Sequence, residues 1–473
     1  MERYTGRLHS GLIIGLAFLF GICMLVCAAA PVQAQEAWDG TSVRVYAGGD
    51  GTEGAPYEIS SAAELAYLAK MVNAGEPYED TYFILTEDID LNRKKWTAIG
   101  TTMTEFRGHL DGGGHVVSNL YIKRKTKAQG LFAYTVDAQI SNLTLLGVNI
   151  QGKNYVGGIV GVAKNTTLFN CSVSGELRGE NYVGGILGAE KQGTDKEGAA
   201  VKLVRGCVNK AKVIGTQYVG GICGSYKGCI YNSNNYGDVF GMQRTGGIVG
   251  QGAADTCVNH GTVGGVQDVG GICGYVPAGQ AVNSCVNMGS IQASIEVGGI
   301  CGYVPGGTVI LQSSNYGSVT GKERVGGICG VGGFSLCFNM GTITGTQYVG
   351  GICGYIYGGT SGNSYNRGNV KGGAKGKYIG GIAGYMQASE SGAVLRFCYS
   401  TGKLTGKTNV GGIVGYNGGT VSDTFYLVNQ AKIGIGGGKK GSARPKEASA
   451  LKSVKILTLL NEDEKIWKQS EGS

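Results

Sequence analysis

Residues 348–355 read YVGGICGY, and the Gly-Gly-Ile core of this stretch recurs along most of a chain of 473 residues. Its first glycine stands at ten positions that are 24 to 36 residues apart: Gly157, Gly184, Gly220, Gly246, Gly270, Gly298, Gly326, Gly350, Gly380 and Gly411. A unit this short cannot close a hydrophobic core by itself, so each copy must pack on the next one. The repeat therefore predicts a solenoid.

A second block recurs inside nine of the copies, with its key residues two positions apart. It begins with a small residue at Cys171, Cys207, Ser233, Cys257, Cys285, Ser313, Cys337, Ser364 and Cys398. Two positions later, seven consecutive copies carry asparagine: Asn209, Asn235, Asn259, Asn287, Asn315, Asn339 and Asn366. A glycine and then Val, Ile or Leu usually follow at the same step. A period of two with one aliphatic face indicates short strands, and the glycines around them predict sharp turns.

These patterns predict an all-β fold, a parallel β-solenoid of about ten coils whose strands lie about 4.8 Å apart from coil to coil. Equivalent asparagines then form a ladder in which each amide donates to the neighbouring copy. Length varies between Gly-Gly and the small residue, where a loop can leave the stack. A β-propeller needs about 40 residues per blade, which exceeds this repeat, and a flat sandwich has no repeats.

The predicted organisation has four parts. Residues 1–34 form a signal peptide, 35–150 an N-terminal leader and cap, 151–433 the repeat solenoid, and 434–473 a linker with a C-terminal capping helix. Ser61 and Glu64 form a capping box before a helix that Gly75 ends. Leu451, Val454, Ile456, Leu457 and Leu460 indicate the second helix. Each helix is expected to cover an open end of the stack, where unpaired strands would otherwise associate.

The first segment is typical of a secretory signal. Arg3 and Arg7 precede an almost uncharged stretch over residues 11–30, and cleavage is expected after Ala34. An uncleaved membrane anchor is the alternative, because the apolar stretch could just span a bilayer. We expect no other membrane segment and a protein that is secreted or held at the cell surface.

Composition excludes several classes of protein. Glycine supplies 89 residues and proline only 6, whereas collagen needs both. Charged residues make up 16 % and apolar ones 42 %, which argues against a disordered chain. The net charge of +8 is not concentrated in any run of Lys and Arg, so we expect no nucleic-acid partner.

Twelve cysteines follow the signal segment. Most fall in two columns, the small position above and the residue after Gly-Gly-Ile, where Ser, Val or Ala substitute for cysteine in other copies. These substitutions indicate that the positions require a small side chain and not a disulfide partner. We therefore expect buried thiols, although neighbours such as Cys257 and Cys285 are close enough to form a disulfide.

Residues that could carry chemistry are scarce. Four histidines are too few and too scattered for a metal site or a nucleophilic triad, and we expect neither a metal nor a cofactor. Asp88, Asp90 and Asp111 are the best candidates for an acid pair of the kind that polysaccharide-cleaving enzymes use. Asp111 precedes Gly-Gly, which is typical of a turn, and the spacing of Asp88 and Asp90 is typical of one side of a strand. The sequence therefore favours structural roles for all three. No acidic residue is expected to recur in neighbouring coils.

Tyrosines supply the candidate binding surface. Tyr275, Tyr303, Tyr355, Tyr385 and Tyr416 occupy one place in the repeat, after Gly-Gly-Ile-x-Gly. Another place, shortly before Gly-Gly, holds Tyr155, Tyr182, Tyr218, Tyr348 and Tyr378. Rows of tyrosine on a rigid body can stack on sugars or pack against a protein, or they can simply cover a corner of the coil.

The repeats resemble the GLUG motif of secreted and surface bacterial proteins. The segments Asp88-Ile89-Asp90-Leu91 and Leu110-Asp111-Gly112-Gly113-Gly114-His115 look like the leader that opens such arrays. The resemblance covers about residues 48 to 433 and implies a β-solenoid. It leaves the activity open, because adhesin-like proteins, polysaccharide-handling proteins and accessory regions of IgA-specific metalloproteases share the motif. This chain has no His-Glu-x-x-His sequence.

We therefore expect a non-catalytic, adhesin-like scaffold that binds a glycan or a protein outside the cell. One alternative is a polysaccharide-active β-helix enzyme that uses the leader carboxylates. Another is an accessory scaffold of a larger surface system. The sequence leaves the oligomeric state open.

Overall fold

A computed structural model describes residues 37–191, 204–388, 392–453 and 456, and the chain forms a parallel β-solenoid as predicted. The coil that starts at residue 295 illustrates the path through three sheets. Ile295–Gly298 lies in sheet 1, Cys301–Tyr303 and Val309–Leu311 lie in sheet 2, and Ser314–Asn315 and Val319–Thr320 lie in sheet 3. Each strand pairs in parallel with its equivalents in the coils before and after.

The strands fall into these three sheets along the described chain. Sheet 1 contains Asn154–Gly157, Asn181–Gly184, Gln217–Gly220, Gln243–Gly246, Gln267–Gly270, Ile295–Gly298, Glu323–Gly326, Gln347–Gly350, Lys377–Gly380 and Thr408–Gly411. The first column of sheet 2 contains Phe132–Val136, Val160–Lys164, Leu187–Glu190, Cys223–Tyr231, Val249–Asp255, Cys273–Tyr275, Cys301–Tyr303, Cys329–Val331, Cys353–Ile356, Ala383–Met386 and Val414–Asn417.

The second column of sheet 2 contains Tyr57–Ile59, Tyr82–Leu85, His109–Asp111, Gln139–Ser141, Thr167–Phe169, Val204–Arg205, the shared strands Cys223–Tyr231 and Val249–Asp255, then Val282–Asn283, Val309–Leu311, Gly333–Ser335, Gly359–Gly362, Ala393–Arg396 and Thr420–Ser422. Sheet 3 begins with Ile89–Asp90, Val116–Ser118, Tyr121–Lys123, Thr144–Gln151 and Ser172–Arg178. It continues with Val208–Asn209, Lys212–Ile214, Asn234–Asn235, Val239–Phe240, Val258–Asn259, Val263–Gly264, Val286–Asn287, Ile291–Gln292, Ser314–Asn315, Val319–Thr320, Phe338–Asn339, Ile343–Thr344, Tyr365–Asn366, Val370–Lys371, Tyr399–Ser400, Leu404–Thr405, Thr424–Leu427 and Ala443–Lys446.

The solenoid has more coils than the ten predicted. The second column of sheet 2 holds fourteen described strands, which bound about 13 turns. The extra turns come mainly from the leader, where large side chains such as Phe83, Trp96, Phe106 and Phe132 fill the interior. A coil filled in this way does not need the Gly-Gly-Ile pattern, so counting that pattern misses it.

The repeated glycines are required by crowding between coils. A Cβ at Gly350 would lie 2.0 Å from the carbonyl oxygen of Cys353 and 2.6 Å from that of Ile382 in the next coil. A Cβ at Gly351 would lie 2.4 Å from Cγ of Asn366. Neither glycine has a positive φ. The chain bends at Gly351 and Ile352, between the strand in sheet 1 and the strand in sheet 2, as the prediction of sharp turns requires. Close contacts around the bend, rather than a left-handed backbone, explain why glycine is needed there.

The asparagines form the predicted ladder in the interior of the solenoid. From Asn209 to Asn366, each Nδ2 donates to Oδ1 of the next asparagine at 2.7–2.8 Å. The same Nδ2 also donates to the backbone oxygen two residues further on, as Asn287 does to Gly289 at 2.9 Å. All seven side chains are fully buried. Each amide therefore has partners within its own coil and in the next coil, which a buried polar group needs.

The cysteines of the described chain are unpaired thiols. All except Cys229 are buried. Where serine replaces cysteine in the small column, its hydroxyl is hydrogen-bonded: Ser313 donates to the Leu311 oxygen at 2.7 Å and accepts from the Cys285 amide at 3.1 Å.

A helix, Ala62–Ala74, packs its buried face of Leu65, Leu68, Ala69 and Val72 on the core at the first coils. Ser61 caps it by accepting from the Glu64 amide at 3.4 Å, and Gly75 ends it with φ 122°. The Glu64 carboxylate accepts from the amide of Ser60 at 2.7 Å. The reciprocal hydrogen bond of the capping box is therefore made by the amide of Ser60 and not by that of Ser61, the predicted partner.

The C-terminal part differs from the predicted linker. Gly436 donates to the Val414 oxygen at 2.9 Å and Lys439 donates to the Asn417 oxygen at 2.7 Å, so this segment runs along the preceding coil. Ala443–Lys446 then pairs with Thr424–Leu427. A short helix, Ala448–Leu451, follows, and Ile456 packs on Phe397 and Phe425. The remainder of the predicted second helix and the signal segment lie outside the described residues.

In the described part of the chain, no helix combines the length and apolar composition that crossing a membrane requires.

Candidate functional site

The predicted tyrosines line one face of sheet 2, which we call the tyrosine column: Tyr275, Tyr303, Tyr355, Tyr385 and Tyr416. They are half-buried and stack on one another from coil to coil. Ring centroids lie 5.5 Å apart for Tyr275 and Tyr303, and 4.9 and 5.0 Å apart along Tyr355, Tyr385 and Tyr416. Val331 takes the place between Tyr303 and Tyr355 and divides the column into two stacks.

A second line of side chains, which we call the corner column, lies beside the tyrosine column. Each member belongs to a strand of sheet 1 and stands two positions before the first glycine of Gly-Gly. Its members are Tyr155, Tyr182, Tyr218, Arg244, Asp268, Glu296, Arg324, Tyr348, Tyr378 and Asn409. All ten have φ between 52° and 61°, a left-handed conformation that bulky residues seldom adopt. The side chains offset this strain by stacking: Tyr155, Tyr182 and Tyr218 lie parallel at 4.8 and 4.6 Å.

The two columns form one continuous surface. Tyr348 meets the edges of Tyr355 and Tyr385 at 5.7 and 5.3 Å, and Tyr378 meets Tyr416 at 5.7 Å. We call this combined surface the tyrosine face. It presents ring edges, ring faces and hydroxyl groups together, which suits partners that are partly apolar and partly polar.

A charged quartet interrupts the tyrosines of the corner column. Arg324 Nη1 lies 2.7 Å from Glu296 Oε1, and Arg244 Nε lies 3.9 Å from Asp268 Oδ2. Both carboxylates have side chains only 7 % exposed. Arg244 also covers the ring of Tyr275 at 4.3 Å, and Arg324 covers Tyr355 at 5.7 Å. The quartet thus joins the charged and aromatic parts of the face.

Asp268 and Glu296 occupy equivalent places in adjacent coils and share a hydrogen bond. Burial, together with this bond, raises the pKa of Asp268 to about 8. Burial also acts to raise the pKa of Glu296, but the bonds from Asp268 and Gln267 and the charge of Arg324 outweigh it and lower that pKa. Both shifts favour a proton on Asp268 and a negative charge on Glu296.

This pair corrects the expectation that no acidic residue recurs in neighbouring coils. The sequence contained the signal, because the residue before Val-Gly-Gly reads Asp268 and then Glu296 in successive copies. Tyrosine fills this place in five other copies, and the four charged residues stand between Tyr218 and Tyr348.

The leader carboxylates bind backbone and amide groups of turns. Asp88 accepts from the Val116 amide at 2.9 Å, and Asp90 accepts from the Asn92 amide at 2.7 Å. Asp111 accepts from the Gly113 amide at 2.9 Å and from Asn142 Nδ2 at 3.0 Å. For Asp90, burial acts to raise the pKa, but the bonds from Asn119 and Asn92 outweigh it and lower the pKa. The contacts of Asp90 and Asp111 with amides two residues on are those of turn-stabilising aspartates. Asp88 instead bonds across to the next coil, where it also lies 3.3 Å from His115 Nδ1.

A ridge of exposed side chains on sheet 3 was not predicted from the sequence. The place after the five middle ladder asparagines holds Tyr236, His260, Met288, Tyr316 and Met340, and the tyrosines and methionines among them are 40–51 % exposed. Tyr236 stacks on His260 at 4.5 Å. This ridge is more exposed than the tyrosine column, and the residue between Asn and Gly in each copy was the signal for it.

Comparison with known proteins gives limited matches. No family model matches the chain. A segment of 153 residues is 34 % identical to halomucin of Haloquadratum walsbyi, and covers 29 % of this chain and 2 % of that protein. Another match, over 128 residues at 33 % identity, is to a protein of Evansella cellulosilytica named "Putative Gly-rich membrane protein", and covers 25 % of this chain and 14 % of that one. The chain thus corresponds to a small part of either relative.

Among solved structures, a protein of Bacteroides ovatus described as a "putative immunoglobulin A1 protease" aligns with 90 % of this chain and 93 % of its own, at 17 % identity and a TM-score of 0.38.

Proposed function

We propose that this protein is a non-catalytic β-solenoid that acts outside the cell, secreted or at its surface, and binds a glycan or a protein through the tyrosine face. The observation that carries the proposal is the joining of two tyrosine columns into one surface, with Arg244 and Arg324 over its rings. Tyrosine and arginine are the residues that dominate binding energy at many interfaces. The relative named as a membrane protein supports a location at the cell boundary.

The leader carboxylates support this non-catalytic proposal. Asp90 and Asp111 accept backbone hydrogen bonds within turns, and Asp88 accepts one from the Val116 amide in the next coil. A general acid in sugar cleavage needs a raised pKa, whereas the pKa of Asp90 is lowered. We therefore assign these three residues to the architecture of the leader.

The test is an array of glycans and extracellular-matrix proteins probed with the purified protein and with a variant that carries Tyr355→Ser and Tyr385→Ser. We expect the variant to bind its target at least about tenfold more weakly, a loss of about 1.4 kcal/mol. The matched control carries Tyr236→Ser and Tyr316→Ser on the ridge and should bind like the wild type. Equal binding by all three proteins contradicts the proposal.

A further inference from the structure

One coil is shorter than its neighbours. From Gly326 to Cys337 it spans 11 positions, against 15 from Gly298 to Ser313 and 14 from Gly350 to Ser364. Gly332 alone, with φ 133°, joins its two strands in sheet 2. The loops of the coils on either side therefore overhang it. Between them lies a cleft of about 260 Å³.

The cleft has glycine walls. Gly306 and Gly307 form one side, Gly358 and Gly359 form the opposite side, and Gly332 and Gly333 line it between them. Val304, Val309 and the ring of Tyr357 complete the lining. Tyr357 lies 4.8 Å from Tyr355 and 6.5 Å from Tyr303, measured between ring centroids. The cleft therefore lies beside the tyrosine face, at the break that Val331 makes in the tyrosine column.

A second short coil shows that the cleft is not an automatic result of shortening. The coil from Gly246 to Cys257 also spans 11 positions. There the overhanging loops meet, because Gln280 Nε2 donates to the backbone oxygen of Lys227 across the gap. In the loop that follows the short coil beside the cleft, the place ten positions after the first glycine is Thr360, whose side chain is two heavy-atom bonds shorter than that of Gln280. The shorter side chain leaves its coil without this bridge.

The chemistry of the lining selects the ligand. No charged side chain is among the residues that line the cleft. Thr308 and Thr360 supply hydroxyls at the rim, and the glycine turns present peptide groups. An apolar side chain placed here would leave such groups unpaired, at about 1–3 kcal/mol each.

A neutral sugar ring satisfies both parts of this lining. Its C–H face can pack on Val309 and the Tyr357 ring, and its hydroxyls can bond with the threonines and peptide groups. The cleft, at about 260 Å³, is smaller than the roughly 300 Å³ at which sites for drug-sized ligands begin. It therefore has room for a single sugar ring. We propose that the cleft binds a single neutral pyranose unit of a glycan whose adjoining part lies on the tyrosine face. This rests on the proposed function, in its glycan form.

The test uses ligand-observed NMR with methyl glycosides of glucose, galactose, mannose and N-acetylglucosamine. We expect at least one to bind saturably, with a Kd in the millimolar range typical of a single small contact. Gly306→Phe should weaken that binding at least about tenfold, because open space lies where its side chain would enter. Ala278→Phe is the matched control, since Ala278 occupies the same place in the preceding Val-Pro-Ala-Gly loop, away from the cleft. It should bind like the wild type.

The outcomes separate the two proposals. Sugar binding that survives Gly306→Phe but is lost in Tyr355→Ser with Tyr385→Ser overturns the cleft site and leaves the tyrosine face in place. Absence of binding to all four glycosides overturns the cleft site as well, while array binding to a protein target still supports the face. A protein ligand that Gly306→Phe displaces would identify a side chain as the occupant and overturn the sugar assignment.

Discussion

Buried polar side chains decide which residues this solenoid can vary. Each ladder asparagine is fully buried and depends on the next coil for its acceptor, so one change leaves groups unpaired in two coils. The residue after each ladder asparagine is exposed and is Lys, Tyr, His, Met or Arg in the different copies. The same short block thus contains one position constrained by hydrogen bonding and one that is free.

Replacing Asn287 with alanine should lower the free energy of unfolding by about 3 kcal/mol, because the amide of Asn259 loses its acceptor and Asn315 loses its donor. Urea denaturation followed by circular dichroism measures this. The adjacent Met288→Ala, 48 % exposed in the wild type, serves as the control and should change stability by less than about 0.5 kcal/mol. Similar losses in the two variants would contradict the ladder.

The acid pair predicts a dependence of stability on pH. Because the folded chain raises the pKa of Asp268 above its ordinary value, the folded state binds this proton more tightly than the unfolded state. The resulting stabilisation is present below about pH 4 and is lost as the pH rises towards and through about 8.

Wild type should therefore lose more stability between pH 5 and pH 9 than Asp268→Asn, in which this group cannot titrate. Thermal unfolding at both pH values provides the comparison. Identical losses in the two proteins would show that Asp268 titrates normally. Tyr182→Asn, in the same column but outside the quartet, should keep the wild-type pH dependence.

Strands and loops were predictable wherever the repeat is regular. The period of two located the interior columns, and the Asn ladder followed from it. The leader coils were missed as coils because bulky residues such as Trp96 and Phe106 fill them without the repeated glycines. The segment after residue 433 was mistaken for a linker because a strand that pairs through its backbone needs no particular side chains. Of the candidate site, the tyrosines were predictable from register, whereas the cleft depends on two loops leaving space above a short coil.

The interior cysteine columns predict a simple labelling result. Twelve thiols are present in the described chain and all but Cys229 are buried. Burial raises the pKa of Cys229 to about 11, so even this thiol should react slowly near neutral pH. Of the twelve cysteines in the described chain, a thiol-reactive dye should label at most one in the native molecule and all twelve after unfolding.

Mass spectrometry of the labelled peptides identifies the site, and Cys229→Ser should remove the native signal. Labelling of several cysteines in the native state would contradict buried columns. A count well below twelve after unfolding without reductant would indicate disulfides.

At the scale of the whole molecule, stacking in register converts single positions of the repeat into continuous surfaces. The tyrosine face, the charged quartet and the ridge each consist of one or two places in the repeat, carried from coil to coil. A binding surface can therefore be lengthened by adding copies and interrupted by one substitution, as Val331 does in the tyrosine column.

The most direct test of this stacking joins residues by disulfide formation. Gln347 pairs in register with Lys377, and Lys377 with Thr408. Adjacent coils place α-carbons about 4.8 Å apart, within the range a disulfide spans, whereas two coils place them about 10 Å apart, outside it. We predict that Gln347→Cys with Lys377→Cys crosslinks completely under mild oxidation and that Gln347→Cys with Thr408→Cys does not. Crosslinking of the second pair, or none in the first, would contradict the stacked solenoid.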